Sequence, residues 1–182
     1  MNRRIILICI LLIALLVSGC PTPKPPTPRP TPTPSAFTME VKLDKPVYKI
    51  GEFIIISVRA TRSCYLSLYD ISTLGEVTQI FPNQLMAYSD NFIQGNKLYR
   101  IPAATDKFDF EISGPPGVER VRAVCTTQNV NLFQEQTAAN KDDEVFPKIQ
   151  VQPAPFEQSL NDELKVIPAG RWAEASVTFQ VQ

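Results

Sequence analysis

Cysteine is the residue type with the widest chemical scope in this sequence, because the chain has four cysteines and no histidine. Without imidazole there is no Ser-His-Asp or Cys-His arrangement and no histidine-containing zinc site. The side chain that most often acts as a general base near neutral pH is also missing. The glycine-rich strings that hold nucleotide phosphates are also missing from the sequence. We therefore predict that the protein is not an enzyme and takes no cofactor, and that its cysteines serve attachment and cross-linking.

Cys20 lies at the end of an apolar leader. A short positive segment, residues 1–4, precedes a run of 13 apolar residues at 5–17. As a helix this run spans ~20 Å, which is less than the ~30 Å hydrocarbon core of a bilayer. A cleaved signal peptide over residues 1–19 is therefore favoured over a permanent transmembrane helix.

The residues that end the leader, Val17-Ser18-Gly19-Cys20, resemble the lipobox of bacterial lipoprotein precursors. This resemblance implies cleavage between Gly19 and Cys20, lipid on the Cys20 thiol and anchoring to a membrane of the cell envelope. Pro21, rather than aspartate, comes next, which favours the outer membrane in a Gram-negative cell. The alternative is an ordinary secretory signal that ends in a cysteine by chance.

A proline-rich tether follows the lipidated cysteine and completes the segment 20–36. Residues 21–35 contain 8 prolines in 15 positions, which rules out helix and sheet because each proline fixes φ and lacks an N–H donor. The polyproline II conformation at ~3.1 Å per residue predicts a reach of up to roughly 45 Å. We interpret the segment as a passive spacer; a ligand for an SH3-type domain is the alternative.

Residues 37–182 have the length of one domain and mostly alternate between apolar and polar residues. About eight short alternating stretches with turn signals between them predict an all-β fold, an antiparallel two-sheet sandwich of the immunoglobulin-like kind. In the stretch after residue 63, Cys64, Leu66 and Leu68 face the core while Tyr65 and Tyr69 face the other side. The predicted strands are 37–43, 53–59, 64–71, 77–81, 98–101, 108–112, 120–126 and 173–181.

A long insertion at 128–168 interrupts the alternation before the last strand. Phe156, Leu160 and Leu164 recur at helical spacing, which predicts one short helix over 156–166. The acidic run Asp142-Asp143-Glu144 could supply oxygen ligands to Ca²⁺. It lacks the spacing and the glycine of a dedicated loop, so we interpret it as a solvated acidic turn and predict no metal site.

The domain keeps two cysteines, Cys64 and Cys125, both on the inward faces of predicted strands. Export to an oxidising compartment makes a disulfide between the two sheets one interpretation. Two buried free thiols are the other, because cysteine is often buried as a small apolar residue.

Short motifs from residue 45 onward resemble the family called domain of unknown function 4384. They are Pro46-Val-Tyr48, Ile50-Gly51-Glu52, Cys64-Tyr65-Leu66, Gly75-Glu-Val77, Ile80-Phe81-Pro82-Asn83 and Tyr99-Arg-Ile101-Pro102. The resemblance covers about residues 37–127. It implies a sandwich fold and an envelope setting, and it implies no reaction.

These observations together predict a non-catalytic envelope module that binds another envelope protein or stabilises an assembly. The insertion is the predicted contact region, and the predicted partner surface comprises Tyr65, Tyr69, Phe156 and Trp172. The alternative is binding of cell-wall glycan or another polymer through exposed aromatics. Removal of residues 1–19 leaves 16 basic and 18 acidic residues, too small an imbalance to indicate nucleic acid.

Overall fold

The computed structural model describes residues 36–83, 85, 91–133, 145–149 and 153–182. The predicted leader, Cys20, tether residues 20–35 and the acidic run 142–144 lie outside these ranges. All described residues belong to one compact unit, Ser35–Gln182. No helix within the described ranges is long and apolar enough to cross a membrane.

The described residues form twelve strands and one helix. In chain order they are β1 Met39–Leu43, β2 Val47–Tyr48, β3 Phe53–Ile54, β4 Ile56–Ala60, β5 Cys64–Ile71, β6 Val77–Phe81, β7 Phe92–Ile93, β8 Tyr99–Ile101, β9 Phe110–Glu111, β10 Gly117–Thr126, β11 Lys148–Ile149, α1 Pro153–Lys165 and β12 Trp172–Val181.

The strands build an all-β sandwich, which confirms the predicted fold class. The smaller sheet has the order β1-β4-β8, and the larger sheet has the order β11-β6-β5-β10-β12-β2 with β7 beside β5. Strands β3 and β9 form a separate pair. Pairing among the described strands is antiparallel except between β12 and β2.

The main core lies between the two sheets, where alternation turns every second side chain inward. Cys64, Leu66 and Leu68 of β5 are fully buried there, as the alternation predicted. Ile56 and Val58 of β4 belong to the same fully buried cluster.

A second core lies on the outer face of the larger sheet, under α1. Phe156, Leu160 and Leu164 of the helix are buried together with Tyr69 of β5 and Val124 of β10. Proline at the first helical position suits the start of α1, because that position needs no N–H partner. The central strands β5 and β10 are consequently buried on both faces.

The structure differs from the prediction mainly in the short elements. The predicted strand 53–59 breaks at Ile55 into β3 and β4, which pair with β9 and β8 respectively. Strands β2, β7 and β11 were missed because two residues carry no readable period. The predicted helix 156–166 is confirmed, although α1 begins at Pro153 and ends at Lys165.

Candidate functional site

Two carboxylates face the inside of the sandwich at one end of the central strands. Asp70 of β5 lies opposite Val121 of β10, and Glu119 lies two residues before Val121 on the same face. Paired residues and their i±2 neighbours share one face of an antiparallel sheet. The two acids are therefore diagonal neighbours between the sheets, where sandwich strands normally carry apolar side chains.

Both carboxyl groups resist ionisation. Burial, with a smaller contribution from the nearby charge of Glu119, raises the pKa of Asp70 to about 7. Burial also raises the pKa of Glu119, although a hydrogen bond from the Thr73 backbone N–H opposes that shift. A low local dielectric constant and a nearby like charge both disfavour the charged form of an acid. Asp70 therefore exchanges its proton near neutral pH.

The two acids line a cleft of about 340 Å³ at the open end of the sandwich. Its floor is apolar and is formed by Ile54, Ile56, Phe110, Val121, Phe146 and Phe179. Further acids line it, namely Glu76, Asp109 and Glu111. Lys148 is the one basic residue among the described lining residues, and its Nζ lies 3.6 Å from Oε2 of Glu76.

The start of β10 lies close to the Thr73 side chain at one side of the cleft. Gly117 begins β10 beside Thr73 of the β5–β6 turn, and a Cβ on Gly117 would lie 2.9 Å from Thr73 Cγ2. The Thr73 hydroxyl donates a hydrogen bond to the Pro115 carbonyl at 3.1 Å. A Cβ at position 117 would crowd the Thr73 side chain, so glycine there favours the approach of Thr73 to β10.

This arrangement can bind a cation, and it can hold or release a proton near pH 7. A carboxyl group with a pKa near 7 is also what acid–base catalysts use. The described residues include no group of three or more Cys, Asp or Glu side chains placed to hold a metal ion. The sequence singled out neither Asp70 nor Glu119, because their meeting depends on the register between two strands distant in the chain.

The two domain cysteines form a disulfide, with Cα atoms 5.5 Å apart. The bridge joins β5 to its neighbour β10 within the larger sheet, so the prediction of a bridge between the two sheets is wrong in that detail. The pairing register explains the difference, because Cys125 lies opposite Leu66 and one diagonal step from Cys64.

Two of the four residues predicted to form a partner surface are not exposed. Tyr69 and Phe156 are both 0% exposed in the outer core, because α1 covers the face on which Tyr69 lies. Their ring centroids are 5.5 Å apart. Tyr65 and Trp172 are partly exposed.

Tyr65 and Trp172 belong to one row across the outer face of the larger sheet. Phe92 pairs with Tyr65, Tyr65 with Thr126, and Thr126 with Trp172. The Tyr65 and Phe92 rings meet edge to face at 5.4 Å, and Phe92 is 43% exposed. Sequence reasoning missed Phe92 because its strand has two residues.

Residues 47–129 match the family model described as "Domain of unknown function (DUF4384)". The predicted family is thus confirmed, with the match beginning at β2 and ending after β10. The matched segment contains both bridged cysteines as well as Asp70 and Glu119. Comparison with curated proteins found no match, and comparison with solved structures found none.

Proposed function

We propose that this protein is a lipid-anchored protein of the cell envelope whose sandwich binds another envelope protein without catalysis. The leader and Cys20 support the anchor, and the disulfide fits an oxidising compartment. The observation that carries the binding role is the acidic cleft, because a concave site with perturbed carboxylates is where a ligand is expected.

The place where the tether joins the domain supports the same role. Ala36 and Thr38 lie beside Thr61, at the end of β4 nearest Cys64. Asp70 lies six residues further along β5, which is about 20 Å at the rise of an extended strand. Ala36, the first described residue, thus lies at the end of the domain opposite the cleft.

The helix of the insertion contributes mainly through packing. Its helix α1 directs Phe156, Leu160 and Leu164 into the outer core, so its apolar face is not available to a partner. Residues 134–144 and 150–152 of the insertion lie outside the described residues. The cleft therefore takes the place of the insertion as our proposed contact region.

Photo-crosslinking in cells tests the binding role. A photoreactive amino acid at Ser113, an exposed residue that lines the cleft, should give one discrete protein adduct. The same group at Gln158, an exposed position of α1, is the matched control and should give none. Adducts from Gln158 alone would move the contact to the insertion, and adducts from neither position would contradict a protein partner.

The anchor is tested separately. Mass spectrometry of the native protein should find a lipidated N-terminus at Cys20, and Cys20→Ser should release the protein from membranes. An N-terminus at Met1, or a serine variant that stays equally membrane-bound, would contradict the anchor.

Glycan binding is a second candidate function, favoured by the row of Phe92, Tyr65 and Trp172. Three aromatic side chains over four adjacent strands span about 14 Å, since neighbouring strands lie ~4.8 Å apart. Retention on purified cell-wall material should fall in Tyr65→Ala and Phe92→Ala and should be unchanged in Asp70→Asn. Equal retention of all three variants, or retention of none of the forms including the unaltered protein, would contradict this candidate.

A further inference from the structure

The cleft has an excess of negative charge that the described residues do not neutralise. Five carboxylates and one lysine line it, and that lysine already lies against Glu76. Among the described residues, the Asp70 carboxyl group has no hydrogen-bond or ion-pair partner, and the Glu119 carboxyl group accepts one hydrogen bond, from the Thr73 N–H. Glu119 is only 5% exposed. A buried charge without a partner is costly, which points to a cation supplied from outside the domain.

The nearest arginines in the sequence do not neutralise the acids of the cleft. Arg120 and Arg122 follow Glu119 on β10 and face outward. Arg122 lies 2.9 Å from Glu174 and 3.4 Å from Glu157, and Arg120 lies 3.2 Å from Glu157. The outer face of β10 therefore has paired charges, whereas the inner faces of β5 and β10 together carry the two acids Asp70 and Glu119 and no base.

We propose that the cleft receives the cationic side chain of a lysine or arginine from a partner protein, with the charge held between Asp70 and Glu119. This inference rests on the proposed function and specifies its chemistry. The apolar floor suits the alkyl stem of such a side chain, whose charged head needs a polar end. The cleft volume of about 340 Å³ is at the small end for ligand sites, so it fits one side chain better than a polymer.

Binding of a cation must favour the ionised form of Asp70, and this linkage gives the inference a distinctive signature. The charged groups that face Asp70 across the cleft are Glu119 of β10, Glu76 of the β5–β6 turn, Asp109 and Glu111 at β9, and Lys148 of β11. The chain has no histidine, and Asp70 is the described side chain with a pKa near 7. Affinity should therefore rise about tenfold between pH 6 and pH 8 as Asp70 loses its proton.

Calorimetric titration of the full mature chain in detergent tests this inference. The probes are a blocked pentapeptide with one central lysine in glycines, its arginine form, and a glutamine form as the uncharged control. The lysine and arginine peptides should bind and the glutamine peptide should not. At pH 6, heats measured in two buffers of different ionisation enthalpy should show about one proton released per peptide bound.

Matched variants locate the site. Asp70→Asn and Glu119→Gln, which keep side-chain size, should each weaken binding of the lysine peptide at least tenfold at pH 8. Asp70→Asn should also remove most of the pH dependence, and Glu119 accounts for the remainder. Asp162→Asn, which removes one exposed acid from α1, should change nothing. Thermal unfolding of each variant establishes that it is folded.

Several results would overturn the inference. Equal binding of the lysine and glutamine peptides would remove the charge requirement, and unchanged affinity in Asp70→Asn or between pH 6 and pH 8 would remove Asp70. n-Butylammonium binding as tightly as the lysine peptide would show a site for free amines instead of a protein side chain. If any of these results is found while the photo-crosslink from Ser113 still forms, the protein-binding function stands and the cationic side chain is ruled out. If the Ser113 crosslink is also absent, both the function and the inference are contradicted.

Discussion

Strands β5 and β10 have one diagonal pair of side chains at each end, and the two pairs affect stability in opposite directions. At one end Cys64 and Cys125 are joined covalently, and at the other end Asp70 and Glu119 face each other as like charges. Each cysteine is six residues from the acid on its own strand, so both pairs make the same diagonal step. One end is closed and stabilising, while the other is open and costs stability. This division is typical of proteins whose binding sites retain unfavourable interactions.

Loss of the bridge should have the largest effect on stability. Replacing Cys64 and Cys125 together by serine removes a link across 61 residues, and the chain-entropy account gives a loss of about 4 kcal/mol in the free energy of unfolding. Urea unfolding at pH 7 measures this loss, and reduction of the unaltered protein should reproduce it. A loss below about 1 kcal/mol would mean that the bridged end is not the stabilising end.

Truncation of the helix should come next and should separate the two faces of the sheet. Leu160→Ala empties a fully buried position of the outer core and should cost about 3 kcal/mol. Affinity for the lysine peptide should not change, because α1 lies across the sheet from the cleft. Loss of that affinity in a folded variant would show that the outer core and the cleft are coupled.

Asp70→Asn should stabilise the domain at pH 8. This variant tests whether the acid pair at the cleft end of β5 and β10 costs stability. The folded protein holds a proton on Asp70 up to pH about 7, whereas the unfolded chain loses it near the ordinary value of 3.8. The free energy of unfolding of the unaltered protein should therefore fall as the pH rises from 4 to 7.

The asparagine variant should lose most of this slope, with a remainder from Glu119, whose pKa burial also raises. It should gain about 2 kcal/mol at pH 8, less than the full shift implies because the amide is itself desolvated. Urea unfolding over pH 4–8 measures both quantities, with Asp162→Asn as the control. The same slope in both variants would rule out Asp70 as its source.

The smallest effect is expected beside the bridge. Phe92→Leu removes the edge-to-face contact with Tyr65 and should cost about 1 kcal/mol, because Phe92 remains partly exposed. Chemical unfolding measures the change. Peptide affinity should be unaltered at this end of the sheet, and any weakening would contradict the separation of the two ends.

Much of this fold could be predicted from the sequence because alternation fixes strand faces. It placed Cys64, Leu66 and Leu68 inward and selected the helical face of Phe156, Leu160 and Leu164. It could not show that the helix covers Tyr69, because burial of an outer face depends on where α1 docks. For the same reason the cleft escaped detection: Asp70 and Glu119 are 49 positions apart, and only the register brings them together.

That register gives the bridge a second consequence. A slip of one residue between β5 and β10 would turn one of the two acids to the opposite face of the sheet, and the sulfur–sulfur bond forbids any such slip. Formation of the disulfide therefore fixes the pairing register of β5 and β10. The same register places Asp70 beside Glu119, about 20 Å from the bridge. An oxidising compartment thus helps to align the two acids of the cleft, because it allows the disulfide to form.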